Sequence, residues 1–95
     1  MTKAARQEEQ KRMNVELSPK AAKYLQSKSQ PDKGRVVRAL KRLAEDPPQG
    51  DIASLTEKDG YRLLVGGYRV LFDVIEHRIV VHKIAPRGQA YKGGF

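Results

Sequence analysis

The chain has 95 residues, with 19 Lys and Arg against 11 Asp and Glu and a formal net charge of +8. This length allows one small domain with a modest core. The absence of cysteine excludes disulfides, cysteine-based zinc sites and thiol nucleophiles, and two histidines leave little material for a metal site. No run approaches the roughly 20 apolar residues of a membrane span, and residues 1–12 lack the apolar stretch of a secretory signal. We therefore expect a cytoplasmic protein with no cofactor, whose partners are polyanionic or acidic.

The N-terminal segment has two parts that differ in polarity. Residues 1–12, MTKAARQEEQKR, are highly charged and show no apolar periodicity. We expect them to form an extension outside a domain that comprises residues 13–95. At the start of that domain, apolar and polar residues alternate, which predicts a short half-buried strand whose apolar members are Met13, Val15 and Leu17.

Two helices are predicted next. Ser18 can cap free amide groups and Pro19 suits the first turn, so a helix should begin there; its apolar stripe is Ala21, Ala22 and Leu25. Pro31 and Asp32 are placed for the first turn of a second helix. Its apolar face is predicted to be Val36, Val37, Leu40, Leu43 and Ala44. A proline pair stops this helix, and we expect a loop to about Asp59.

The remaining sequence predicts a meander of three strands. The two tight turns are Gly66-Gly67 and Glu76-His77. The strands they connect are Tyr61–Val65, Tyr68–Ile75 and Arg78–Ala85. The order strand, helix, helix and three strands predicts an α+β fold, in which a two-helix hairpin packs on one face of an antiparallel sheet.

The turns also predict which residues share a face of the sheet. A two-residue hairpin places Leu64 opposite Arg69 and Arg62 opposite Leu71. The next turn would place Leu71 beside His82 and Asp73 beside Val80. Alternation then gives one face for the helices to cover, the covered face, formed by Tyr61, Leu63, Val65, Val70, Phe72, Val74, Ile79 and Val81. The other face, which we call the open face, carries Arg62, Leu64, Arg69, Leu71, Asp73, Val80, His82 and Ile84.

Half of the net positive charge lies in this C-terminal region, because acidic residues are scarce there. Residues 60–95 hold Arg62, Arg69, Arg78, Lys83, Arg87 and Lys92 against only Asp73 and Glu76. Several guanidinium groups around one pocket form a phosphate site, because each planar fork binds phosphate oxygens bidentately. Tyr91 adds a ring on which a base can stack. The alternative is an open face that is polar because it meets water.

One stretch of sequence resembles a known family. The run GYRLLVGGYRVLFDVIEHRIVVHKIAPRGQAYK, Gly60 to Lys92, resembles the C-terminal hallmark of the RelE/ParE superfamily of toxins. That hallmark is a Y-R-x-x-V-G-x-Y-R-V hairpin, then a strand and an R-x-x-x-Y tail. The preceding strand, helix and helix ending in AEDPP also match, so the resemblance covers about residues 13–92.

The resemblance implies a type II toxin that is neutralised by a cognate antitoxin. RelE-like members cleave mRNA on the ribosome without metal, by attack of the ribose 2′-hydroxyl on the adjacent phosphorus. By position, Arg69 and Arg87 match the arginines that hold the phosphate, and Arg62 matches a basic position on the preceding strand. Tyr91 matches the tail tyrosine that stacks on or orients the substrate. These four are the expected catalytic residues of an mRNA endoribonuclease.

The sequence also departs from the RelE pattern. Leu64 stands where the prototype has a lysine with an acid/base role, and Pro86 stands where many relatives have a histidine. His82 is a possible substitute, and with Lys92 it completes the candidate substrate-binding residues. These departures keep two alternatives open: a ParE-like poison of DNA gyrase, and a toxin relic that acts as a corepressor through its antitoxin. In each case an acidic or amphipathic antitoxin segment should wrap the domain.

Overall fold

The computed structural model describes residues 13–55 and 59–88. They form two helices and five strands: β1 (Asn14–Leu17), α1 (Pro19–Gln26), α2 (Asp32–Leu43), β2 (Asp51–Ser54), β3 (Tyr61–Val65), β4 (Tyr68–Ile75) and β5 (Arg78–Pro86). The strands join in one sheet in the order β1-β5-β4-β3-β2. The predicted α+β class, with the helices on one face and a C-terminal meander, is confirmed. The predicted extension at residues 1–12 lies outside the described residues.

The first strand joins the sheet at the edge of β5, and it does so in parallel, so the sheet is mixed. Val15 pairs with Ile79 and Leu17 pairs with Val81, and both β1 side chains pack against the core. A parallel pair needs a long crossover, and the two helices and the remaining strands supply it. The predicted half-buried strand is therefore present.

Both helices begin where the sequence predicts. Ser18 is the N-cap of α1, and its hydroxyl accepts a hydrogen bond of 3.0 Å from the amide of Ala21. The buried residues of the two helices are Ala21 and Leu25 of α1 and Val36, Leu40 and Leu43 of α2. Asp32, in the first turn of α2, accepts a hydrogen bond of 2.7 Å from the Tyr68 hydroxyl. This bond ties the helix layer to the start of β4.

The core lies between the helices and the covered face of the sheet. Its sheet residues include Leu63, Val70, Phe72, Ile79 and Val81, each no more than 2% exposed. All five belong to the predicted covered face. Burying each large apolar side chain contributes roughly 1.5–3 kcal/mol to the free energy of folding, so this layer fixes which face of each strand meets the helices.

Coverage of that face is incomplete, which corrects the sequence prediction. Tyr61 and Val74 were expected under the helices but are 38% and 42% exposed. Both line an open groove with Pro48, which follows α2 in the chain, so the helices themselves do not extend over this end of the sheet. The Tyr61 ring instead stacks on Phe72, with ring centroids 5.5 Å apart.

The segment after α2 also differs from the prediction. A loop was expected to about Asp59, but residues Asp51–Ser54 form β2, which pairs with β3 in antiparallel register. The strand is only four residues long and has no continuous apolar run, so its sequence carries little strand signal. Its consequence for the open face is that Asp51 lies opposite Leu64.

Candidate nucleic-acid interface

The two hairpin turns set most of the predicted register. Leu64 lies opposite Arg69 and Arg62 opposite Leu71, as predicted. In the second turn Glu76 and His77 have φ values of 49° and 61°, the left-handed pair that a two-residue hairpin turn of this hand requires. Asp73 then pairs with Val80, again as predicted.

A β-bulge changes the register beyond that point. Leu71 pairs with Lys83 and Phe72 pairs with Val81, so His82 is an extra residue in β5. The predicted pairing of Leu71 with His82 is therefore wrong. Ile84, predicted on the open face, pairs with Val70 and is buried in the core at 3% exposure. The cause in both cases is the additional residue, which shifts the alternation of every side chain after it.

The bulge brings two further basic residues to the open face. Lys83 lies opposite Leu71, and Ala85 lies opposite Arg69. Alternation from these positions carries Arg87 to the same side of the sheet. In a register without the bulge, Lys83 and Arg87 would both have pointed toward the helices.

Arg69 is the centre of the resulting arrangement. Arg62 and Lys83 flank Leu71, which is two residues along β4 from Arg69. Arg87 is two residues beyond Ala85, the partner of Arg69. Each of the three is thus a diagonal neighbour of Arg69, at a Cα separation of roughly 7–8 Å that long side chains span. We call Arg62, Arg69, Lys83 and Arg87 the basic cluster.

Neighbouring groups hold Arg62 and Arg87 in place. The Arg62 guanidinium donates to the Asp51 carbonyl oxygen at 3.2 Å and lies 3.5 Å from the Asp51 carboxylate. The Arg87 amide donates to the Gly67 carbonyl oxygen at 2.9 Å, and its guanidinium donates to the Gly66 carbonyl oxygen at 3.4 Å. Arg87 is thereby attached to the β3–β4 turn, at the end of the sheet where Arg69 lies.

The floor of the open face is apolar. Leu71 is only 4% exposed and Ala85 is 6% exposed, although neither belongs to the core cluster under the helices. Their neighbours in the pairing are the members of the basic cluster, whose aliphatic stems can cover apolar surface while the charged ends stay in water. The open face thus has buried apolar side chains at its centre and cationic groups around them.

His82 lies on the same face but has its own partner. Its Nε2 atom is 2.8 Å from Oδ2 of Asp73, and the two side chains are 43% and 31% exposed. Behind the ring, the His82 carbonyl oxygen accepts a hydrogen bond of 2.8 Å from the Ser18 hydroxyl. The bulge is therefore fixed on its backbone side by the same residue that caps α1.

The far end of the open face has a different electrostatic character. Arg78 donates to Glu16 at 2.9 Å and lies 3.7 Å from Glu76. Acidic groups thus offset the charge of Arg78 at this end, whereas the basic cluster lies toward the other end.

The remaining residues singled out in the sequence have definite places. Leu64 is half-buried between Asp51 and Arg69. Pro86 lines a groove with Tyr24 and Tyr68, which is on the helix side of the sheet and not on the open face. Tyr91 and Lys92 lie outside the described residues.

Lys83 is the residue that sequence reasoning missed. Strict alternation assigned it to the covered face, yet the sequence held a signal against that assignment: Val81 and Ile84 are both strongly apolar and three residues apart. Only an inserted residue lets both reach the core, and the same insertion turns Lys83 outward.

Two kinds of site are absent from the described part of the chain. Residues 13–55 and 59–88 hold no group of three or more His, Cys, Asp or Glu side chains that could bind a metal ion. Over the same ranges, no helix has both the length and the apolar character needed to cross a membrane.

Comparison with known proteins agrees with this geometry. A family model described as the ParE toxin of the type II toxin-antitoxin system parDE matches residues 15–91. The chain belongs to this toxin family, within the RelE/ParE superfamily. No curated protein sequence is detectably similar to it. The resemblance seen in the hairpin and tail motifs is confirmed, and the protein is the toxin of a type II toxin-antitoxin system.

Two solved structures share the fold of this toxin. It is 28% identical to a chain of the archaeal RelE-RelB complex from Pyrococcus horikoshii OT3, with a TM-score of 0.69, and the match covers 82% of the toxin and 98% of that chain. A chain of the RelB-RelE antitoxin-toxin complex from Methanococcus jannaschii has the same TM-score at 18% identity, covering 85% and 100%. The toxin thus spans nearly the whole length of both chains.

Proposed function

We propose that this toxin is a ribosome-dependent mRNA endoribonuclease that cleaves by 2′-hydroxyl attack without a metal ion. The observation that supports it most is the position of Arg69, which has Arg62, Lys83 and Arg87 as diagonal neighbours on a face that the helices leave uncovered. Four cations around one point form a site for a phosphodiester, the group that the reaction attacks.

The chemistry explains why such a cluster would suffice for much of the rate. Attack by the 2′-oxygen gives a phosphorane-like transition state with more negative charge than the ground-state phosphodiester. Donors fixed in advance around that charge lower the barrier, and one such donor contributes about 100-fold to 1,000-fold in rate. In this proposal Arg69 and Arg87 hold the non-bridging oxygens, because Arg69 lies at the centre of the basic cluster and Arg87 is fixed beside it at the β3–β4 turn.

The other site residues take supporting roles. Arg62 is shared with Asp51, 3.5 Å away, so we assign it to orientation of the flanking phosphate. Leu71 and Ala85 provide an apolar floor that limits water around the reacting group. Tyr91 is the tyrosine of the R-x-x-x-Y tail and Lys92 is the next residue. We propose that Tyr91 stacks on a base and that Lys92 contacts the backbone of the message.

The partner that restrains the toxin is proposed to be a cognate antitoxin. Both structural neighbours are chains from complexes of RelE with RelB. Because the toxin has a net charge of +8, the antitoxin segment that binds it is expected to be acidic. Such a segment would compete with RNA wherever it covers the basic cluster.

One observation supports a second candidate, a poison of DNA gyrase. Leu64 is apolar where the RelE prototype carries an acid/base lysine, and Pro86 faces the helix side. A toxin that acts only by binding gyrase requires no proton-transfer groups. The same fold and the same family model accommodate this activity.

Controlled expression in cells separates the two. We expect growth arrest with new 5′ ends inside translated regions of messages, which sequencing of RNA 5′ termini detects. Arg69→Ala should remove most of the cuts and relieve the arrest. The matched control is Arg38→Ala, which removes an exposed arginine from α2 on the helix side. Arrest with intact messages and gyrase-dependent DNA breaks would support the second candidate, and arrest with neither would contradict both.

A further inference from the structure

We infer that the β-bulge in β5 supplies the proton-transfer groups of this toxin: His82, oriented by Asp73, takes the proton of the 2′-hydroxyl, and Lys83 donates one to the leaving 5′-oxygen. The inference rests on the proposed ribonuclease function, since it assigns the acid and base of that reaction. It goes beyond the phosphate-binding role of the basic cluster.

The reaction requires groups that the arginines cannot provide. A guanidinium stays protonated in proteins and has no acceptor, so Arg62, Arg69 and Arg87 cannot serve as the base. The two positions where relatives carry such groups hold Leu64 and Pro86. Imidazole, in contrast, exchanges protons near neutral pH, and the open face presents one in His82.

The Asp73–His82 contact has the form of a base and its orienting group. Oδ2 of Asp73 lies 2.8 Å from Nε2 of His82. When Nε2 carries the hydrogen, the carboxylate accepts it and Nδ1 keeps a lone pair for the 2′-hydroxyl proton. The negative carboxylate then stabilises the imidazolium that forms, and it holds the ring in one orientation.

The backbone of the bulge is fixed as tightly as the ring. The Ser18 hydroxyl donates to the His82 carbonyl oxygen at 2.8 Å, and the Ser18 amide donates to the Val81 carbonyl oxygen at 2.9 Å. The bulge therefore lies where β1 ends and α1 begins, at a point that three elements determine. Side chains on such a backbone lose little further freedom when substrate binds.

The bulge also explains why two consecutive residues face the same way. Lys83 pairs with Leu71 on the open face, and His82 reaches Asp73 on that face. In a regular strand they would point in opposite directions. Lys83 is a diagonal neighbour of Arg69, so an ammonium donor and an imidazole acceptor lie in sequence along the edge of the phosphate site.

The step balances without any other reactant. The 2′-oxygen forms a bond to phosphorus as its proton passes to Nδ1 of His82. The bond from phosphorus to the 5′-oxygen breaks as that oxygen takes a proton from the Lys83 ammonium. The products are a 2′,3′-cyclic phosphate and a 5′-hydroxyl, and exchange with water then returns His82 and Lys83 to their starting forms.

Several strands place charged residues near His82. Asp73 is on β4, Lys83 follows on β5, Arg62 is on β3 beyond Leu71, and Glu16 of β1 is held by Arg78. Asp73 is the one in direct contact with the ring.

The test uses the full-length toxin, purified ribosomes and a synthetic message. Single-turnover rates are measured for His82→Gln, Asp73→Asn and Lys83→Ala, with His77→Asn and Lys20→Ala as matched controls that lie away from the open face. We expect losses of about 100-fold or more for His82→Gln and Lys83→Ala, a smaller loss for Asp73→Asn, and wild-type rates for both controls. Added imidazole should restore activity to His82→Ala.

A modified substrate separates the acid from a merely structural lysine. Sulfur in place of the bridging 5′-oxygen leaves without a proton. This substrate should restore Lys83→Ala to near the wild-type rate but leave His82→Gln slow. If the wild type cleaves and none of the three substitutions slows it, the inference is overturned but the proposed function stands. The same holds if Lys83→Ala is slow and the substrate with the bridging sulfur does not restore its rate. No cleavage by the wild type would overturn the proposed function itself.

Discussion

Lys83 lies directly opposite Leu71 on the open face of the sheet, although strict alternation from the β4–β5 turn assigns that position to His82. One extra residue in β5 separates the two arrangements. It turns Lys83 and Arg87 from the helix side to the side of Arg69, and it sends Ile84 into the core. A single backbone irregularity thus assembles the basic cluster and completes the apolar layer together.

Arg69 is predicted to matter most within the basic cluster. Arg69→Ala should lower the rate of message cleavage by about 100-fold to 1,000-fold, because it removes the central donor to the developing charge. Arg69→Lys should recover only part of that loss, since an ammonium cannot bind two oxygens with one planar fork. Cleavage of ribosome-bound message measures the effect. Equal rates for wild type and Arg69→Ala would contradict it.

Arg62 should contribute less than Arg69. Its guanidinium is 3.5 Å from the Asp51 carboxylate, and its side chain is only 23% exposed. Part of its charge is therefore offset before RNA binds. We expect Arg62→Ala to lower the rate of cleavage by about tenfold, one order less than Arg69→Ala. Asp51→Asn should strengthen binding to the message, and a titration of toxin against programmed ribosomes checks this. Weaker binding by Asp51→Asn would show that the pair positions Arg62 for the substrate.

Ser18 should affect both stability and activity. Its hydroxyl caps α1 and donates to the bulge carbonyl at 2.8 Å, so Ser18→Ala should lower the free energy of unfolding by about 1 kcal/mol. It should also slow cleavage in toxin that remains folded, because the bulge loses its support. Urea unfolding and the cleavage assay give the two values. Ser29→Ala, an exposed serine between the helices, is the control and should change neither.

The hydrogen bond between Tyr68 and Asp32 predicts a pH dependence of stability. This bond, with partial burial and the charge of Asp32, raises the pKa of Tyr68 above its ordinary value of 10.0. A raised pKa in the folded state contributes stability below the unfolded value, and that contribution is lost as pH rises through the folded value. Wild type should therefore lose stability above about pH 10 more steeply than Tyr68→Phe. The midpoint of urea unfolding measures this, and parallel curves would contradict it.

Much of the architecture could be predicted because its signals are local. The serine and proline at the start of α1, the period of apolar residues in α2 and the two tight turns each act within a few residues. The register that follows from the first turn, with Leu64 opposite Arg69, was therefore correct. The same alternation identified Arg62 and Arg69 as neighbours on one face.

The errors came from features that depend on the rest of the fold. The bulge at His82 lets both Val81 and Ile84 be buried in the core, and the Ser18 hydroxyl stabilises it by donating to the His82 carbonyl oxygen. Neither influence is visible from the turn alone. Likewise β2 forms through pairing with β3, and Tyr61 and Val74 are exposed because the helices do not extend over that end of the sheet.

Cleavage of a defined message in a reconstituted system tests the central claim most directly. Purified toxin is added to ribosomes with a chosen codon in the A site, and the RNA ends are analysed. We expect one cut in that codon that leaves a 2′,3′-cyclic phosphate and a 5′-hydroxyl, at the wild-type rate for Arg38→Ala and about 100-fold to 1,000-fold more slowly for Arg69→Ala. The account would be contradicted if the wild-type toxin left the message intact and instead trapped cleaved DNA on gyrase.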